Sequence, residues 1–87
     1  MNFIHFDLGQ CQSGAVVEIT LSAGAHVRLL DSSNFSSYRN GRNCHFIGGL
    51  ARRTPVRLQI PQSGHWHVAV DMQGLRGSVR AGVRMLS

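Results

Sequence analysis

The stretch Pro55-Val56-Arg57-Leu58-Gln59-Ile60-Pro61-Gln62-Ser63-Gly64-His65-Trp66-His67-Val68-Ala69-Val70-Asp71 holds two alternating runs joined by a short turn. Val56, Leu58 and Ile60 alternate with Arg57 and Gln59, and Trp66, Val68 and Val70 alternate with His65, His67 and Asp71. A period of two turns one set toward a core and the other toward water. Gln62-Ser63-Gly64 suits a type I turn closed by glycine at positive φ. The spacing therefore predicts a β-hairpin with Ile60 beside Trp66, Leu58 beside Val68 and Val56 beside Val70. A one-residue slip would set Leu58 against His67, which disfavours it.

The same alternation recurs outward from this stretch. Asn2 to Leu8, Val16 to Leu21, His26 to Leu30, Asn43 to Ile47 and Ser78 to Met85 read as further strands, separated by turn-forming residues such as Gly9–Gly14 and Ser22-Ala23-Gly24. Asp31 to Gly41 differs. Asp31, Ser32 or Ser33 can cap a helix, Phe35 and Tyr38 are three apart, and Gly41 can end it, so a short helix or structured loop is expected near residues 33–39. Seven short strands imply an all-β, mainly antiparallel domain, either a small sandwich or a partly open barrel. The expected core is Ile4, Phe6, Leu8, Val17, Ile19, Leu21, Val27, Leu29, Val56, Leu58, Ile60, Trp66, Val68, Val70, Val79 and Val83, with Ala81 and Met85 also facing inward.

Eighty-seven residues permit one domain with one core, residues 1–87. Hydrophobic residues make up 43% and charged residues 15%, which is globular rather than disordered. No run is long and apolar enough for a membrane helix, and the first residues lack the pattern of a signal peptide. The expectation is a bacterial, cytoplasmic protein without membrane association, with Cys11 and Cys44 reduced and unpaired. The charge is uneven. Residues 1–43 sum to zero, whereas residues 44–87 carry six arginines against Asp71 alone. A basic half invites an anionic partner, although a solvated basic face or a genome's base composition explains arginine equally well.

Catalytic motifs are lacking: no nucleophile elbow, phosphate loop or dinucleotide fingerprint occurs, and four scattered acidic residues offer no carboxylate pair. The reading is of a non-catalytic binding or sensing module without a cofactor. Asp31 to Gly49 is the longest departure from plain strands, and long loops on small β scaffolds commonly bind. Asp31, Asn34, Tyr38, Arg39 and Arg42 are its candidate residues, for a protein partner or a small anionic ligand. The plainer account is that Phe35 and Tyr38 plug the end of the core. A second reading is a nucleic-acid binder using Arg57, Arg80 and Arg84 on wet strand faces, which requires exposed aromatics among them. A third is a metal-dependent enzyme using His65 and His67. Their spacing sends both rings to one face, but the hairpin register sets them beside Pro61 and Gln59. The expectation is that no metal binds. A third ligand would have to come from His5, His26, His45, Cys44 or Asp71. Oligomeric state is not legible.

Asp31-Ser32-Ser33-Asn34-Phe35, Tyr38 with Gly41, Gly48-Gly49-Leu50-Ala51, Pro55-Val56-Arg57-Leu58, Ser63-Gly64-His65-Trp66, and Val70-Asp71 before Gly74 and Gly77 together span almost the whole chain. In these elements the sequence resembles a small bacterial family of domains of unknown function, DUF1883, whose members occur alone or ahead of a TIR domain. The resemblance implies a shared fold. Fusion to TIR domains would suit a sensing or binding module, and the family supplies no catalytic residue or cofactor.

Overall fold

The computed structural model describes residues 3–86; Met1 and Asn2, at the expected start of the first strand, and Ser87 lie outside them. The elements run β1 (Ile4–Cys11), β2 (Val16–Leu21), β3 (Ala25–Asp31), α1 (Ser32–Arg39), β4 (Ile47–Ala51), β5 (Val56–Gln59), β6 (Gly64–Asp71) and β7 (Ala81–Leu86). All paired strands are antiparallel. They form a four-stranded sheet of order β1-β6-β3-β4 and a three-stranded sheet of order β5-β2-β7. The domain is a small sandwich with one short helix. No helix among the described residues is long and apolar enough to cross a membrane.

The expected hairpin does not form. β5 pairs with β2, whereas β6 is central in the other sheet, with β1 on one edge and β3 on the other. Both hydrogen-bonding edges of β6 are thus occupied. The Ile60–Ser63 link carries the chain from one sheet to the other, and Gly64 starts β6 opposite Cys11 instead of closing a turn. The alternation still assigns the faces correctly. Every residue of the expected sixteen-residue core is either buried in the cluster between the sheets or packed against it. Trp66 is buried and donates its indole N–H to the Gln62 carbonyl at 2.9 Å.

Other departures have local causes. β1 continues past Leu8 to Cys11 through a bulge between Asp7 and Gly9, where Gly9 adopts φ 70°. The strand expected at Asn43–Ile47 lies later, at Ile47–Ala51, and runs through Gly48-Gly49. Glycine depresses strand propensity, but here it is required. Gly48 has φ 118°, and a Cβ there would stand 2.3 Å from the Val27 carbonyl oxygen. Met85, expected inside, is 42% exposed. His67 and Asp71, expected in water, are buried, because α1 covers the outer face of the four-stranded sheet. Leu30, Ala69, Phe35 and Tyr38 form a second apolar cluster there, with Phe3 and Cys44 packed against it.

The other sheet's outer face is open and carries a three-strand charge rung. Glu18 stands opposite Arg57 on one side and Arg84 on the other, and accepts their Nε–H groups at 2.9 and 2.8 Å. The bonds from Arg84 and then Arg57 hold the Glu18 carboxyl below the usual glutamate range. A lowered folded-state value adds stability above the unfolded pKa that is lost as pH falls through the folded one.

Two outcomes follow. Trp66→Ala should cost about 3–5 kcal/mol in chemical denaturation, from lost burial and the cavity left. In acid titration of unfolding, Glu18→Gln should remove part of the stability loss seen below the ordinary glutamate pKa; an unchanged acid limb would refute the role given to the rung.

Candidate ligand pocket and histidine cluster

Helix α1 is poor in intrinsic helix formers, with four serines in eight residues. Its ends and one buried anchor hold it. Asp31 is the N-cap, its Oδ1 accepting the Asn34 N–H at 2.8 Å and the Asn34 side-chain amide at 3.0 Å. At the other end Gly41, at φ 72°, donates to the Tyr38 carbonyl, and Arg42 donates to the Ser37 carbonyl at 2.8 Å, a Schellman closure. Asn34 Oδ1 accepts the His45 N–H at 2.8 Å and so ties the following loop back to the helix.

The anchor is Asp71, 2% exposed. Its Oδ2 accepts from the Arg28 guanidinium on β3 and from the Tyr38 hydroxyl at 2.5 Å, and its Oδ1 accepts the Gln73 N–H at 3.1 Å. Burial, then the hydrogen bond and negative charge of Asp71, push the Tyr38 hydroxyl well above the ordinary tyrosine range. The Arg28 guanidinium lies 5.3 Å from the Tyr38 ring centroid and 5.1 Å from that of Phe46.

Above this network the loop after α1 closes a depression of about 340 Å³, lined by Arg28, Tyr38, Gly41, Arg42, Asn43, Cys44, Phe46 and Gln73. Tyr38 and Arg42, both expected from the sequence, meet here. Asp31 and Asn34 border a neighbouring hollow of about 250 Å³ with His45, Phe46 and Trp66; Asp31 Oδ1 is already used in the cap and the Asn34 amide in the cap and the loop tie. Arg39 reaches neither; its guanidinium lies 5.9 Å from the Phe35 ring centroid. Gln73 was missed by the sequence reading, which placed Arg28 only among the arginines on wet strand faces and not at this site. The outward parity of Arg28 on β3 was visible, but its partner is 43 residues away.

Arg57 and Arg84 do share a face, joined through Glu18, and their sheet contains no aromatic residue. Arg80 is exposed just before β7, where its backbone bonds Ser22.

His65 and His67 share a face as their spacing implies, but their neighbours come from β1, not β5. Asp7 lies directly opposite His67. His65 Nε2 is 2.5 Å from Asp7 Oδ1, His67 Nδ1 is 2.9 Å from His5 Nε2, and His67 Nε2 is 2.9 Å from Ser32 Oγ. The Gly9 N–H, then His65, hold the Asp7 carboxyl below its usual range; burial chiefly lowers the His67 pKa, favouring neutral imidazole. One donor atom from each of Asp7, His65 and His67 lies within 4.8 Å of the others. Asp7 was missed because its proximity depends on the β1–β6 pairing. Cys11, buried, and Cys44, half-buried, are not bonded to each other.

The model of DUF1883, a domain of unknown function, matches residues 1–87. The chain belongs to the DUF1883 family. No curated protein and no solved structure matches it.

The chain of this DUF1883 domain has a single tyrosine, so its absorbance reports Tyr38 alone. A raised folded-state pKa gives stability that is complete below the unfolded value of about 10 and is lost as pH rises through the folded one. Phenolate absorbance should appear only well above pH ~10 in the native protein, and Asp71→Asn should lower the midpoint. Ionisation of the native protein in the ordinary tyrosine range would refute the buried bond.

Proposed function

We propose that this DUF1883 domain is a non-catalytic binding module that takes a small anionic ligand in the depression between α1, the 40–46 loop and Gln73. The observation that carries the reading is charge. Arg28 and Arg42 line the depression and no carboxylate does. Arg28 is matched by Asp71 beneath it, while Arg42 makes no ion pair among the described residues, so one positive charge is left for a ligand.

The remaining lining suits the rest of such a ligand. Phe46 is 42% exposed and offers apolar surface beside the arginine, and Asn43 and Gln73 offer amides. Catalysis finds little support here. Tyr38 is committed to Asp71, and no histidine or free carboxylate lines the depression. The nucleic-acid reading is weaker, since Glu18 compensates one of the two arginines it bridges and no aromatic platform accompanies them.

Chemical-shift mapping against nucleotides, sugar phosphates and small carboxylates tests the proposal. Binding should move the amides of Arg42, Asn43, Phe46 and Gln73, and Arg42→Ala should weaken it by at least about tenfold, the usual scale for losing a charge-assisted contact. Shifts confined to the β5-β2-β7 face, or binding indifferent to Arg42→Ala, would contradict it.

A further inference from the structure

The outer face of β1 and β6 carries a donor cluster that the anion pocket does not use. Asp7 comes from β1, and His65 and His67 come from β6 at alternate positions. Two imidazoles and a carboxylate are the mixed nitrogen and oxygen set favoured by zinc and its neighbours, and disfavoured by magnesium, which prefers oxygen alone. We propose that Asp7, His65 and His67 form a binding site for a zinc-class divalent transition-metal ion.

The backbone places all three donors. Antiparallel pairing sets Asp7 opposite His67, and the bulge between Asp7 and Gly9 offsets the next residues so that His65 also reaches Asp7. The Gly9 N–H holds Asp7 Oδ1 at 2.8 Å and orients the carboxylate. His67 is held by ring contacts, stacked with Phe35 at 4.6 Å and with His65 at 4.8 Å. Its two ring nitrogens already have polar neighbours, Ser32 Oγ and His5 Nε2. Whichever nitrogen takes the ion, the other keeps a partner that fixes the ring, as ligating histidines require.

The fit needs a modest adjustment. Donors on one tetrahedral zinc ion stand about 3.3–3.5 Å apart, given bonds of about 2.0–2.2 Å. The separations here run from 2.5 Å, between His65 and Asp7, to no more than 4.8 Å. The two donors that must move are the accessible ones. The side chains of His65 and Asp7 are 47% and 53% exposed, while His67 is buried and acts as the fixed point. Three protein ligands on a solvent-facing site leave the fourth position to water or a small ligand, the arrangement of an open rather than a purely structural zinc site.

Calorimetric titration with zinc chloride tests the site, with magnesium chloride as the comparison and the thiols kept reduced by a phosphine. One zinc ion per chain should bind with Kd tighter than about 0.1 mM and raise Tm, and magnesium should do neither. Asp7→Asn, which keeps the acceptor for Gly9, and His65→Ala, at an exposed position, should each weaken zinc by more than about tenfold without unfolding the domain. Cys44→Ser and His45→Ala change donors in the loop after α1 and should leave the affinity alone. Arg42→Ala should do the same, which separates this site from the anion pocket. Weaker binding than that limit, or zinc affinity unmoved by Asp7→Asn and His65→Ala, overturns the proposal and leaves His65 and Asp7 as an ordinary hydrogen-bonded pair.

Discussion

A buried carboxylate governs how the helical segment meets the sandwich. Asp71 sits on the central strand β6, beneath α1, with almost no access to water. Burying a lone carboxylate costs several kcal/mol, so its place is tolerable only with its lone pairs engaged. Arg28 from β3, Tyr38 from α1 and the Gln73 amide engage them. One side chain thereby joins two strands, the helix and the turn after β6. The helix has little propensity of its own, and this anchor with its two caps gives it a fixed position. The floor of the depression lined by Arg28, Arg42 and Phe46 is the same network seen from outside.

The two outer faces of the sandwich differ for this reason. On the three-stranded sheet, polar side chains answer one another locally, as in the Arg57-Glu18-Arg84 rung, where two exposed arginines cover a buried Glu18. On the four-stranded sheet, α1 covers Leu30 and Ala69, and polar groups on its margins are held in defined geometry. The depression beside α1 and the histidine cluster both lie on this covered side. His67 illustrates the link, since Phe35 of the helix stacks on its ring and Ser32 bonds its Nε2.

The faces of the strands were legible in the sequence, and their partners were not. Period-two alternation states which residues share a side, so the core residues from Ile4 to Val83 were placed correctly. It is silent on whether two facing runs lie side by side or across a core. Gln62-Ser63-Gly64 is compatible with a hairpin, and only the pairing of β6 with both β1 and β3 excludes it. Where both faces of a strand are covered, alternation misleads, as it did at His67 and Asp71. In the site, Gly41 as a stop was readable from local chemistry, and Asp31 was one of the three caps it allowed. Arg28 with Asp71, and Asp7 with His65, meet only through tertiary pairing, over 43 and 58 residues of chain.

Native-state hydrogen exchange on Asp71→Asn most directly tests the claim that this carboxylate fixes the helical segment. The cap amides of Asn40, Gly41 and Arg42 bond carbonyls of the last turn of α1 and report its closure. They, with the α1 amides, should lose protection in the variant, while Val17 to Thr20 in the three-stranded sheet keep theirs. Unchanged protection in α1, or an equal loss in both sheets, would contradict the account.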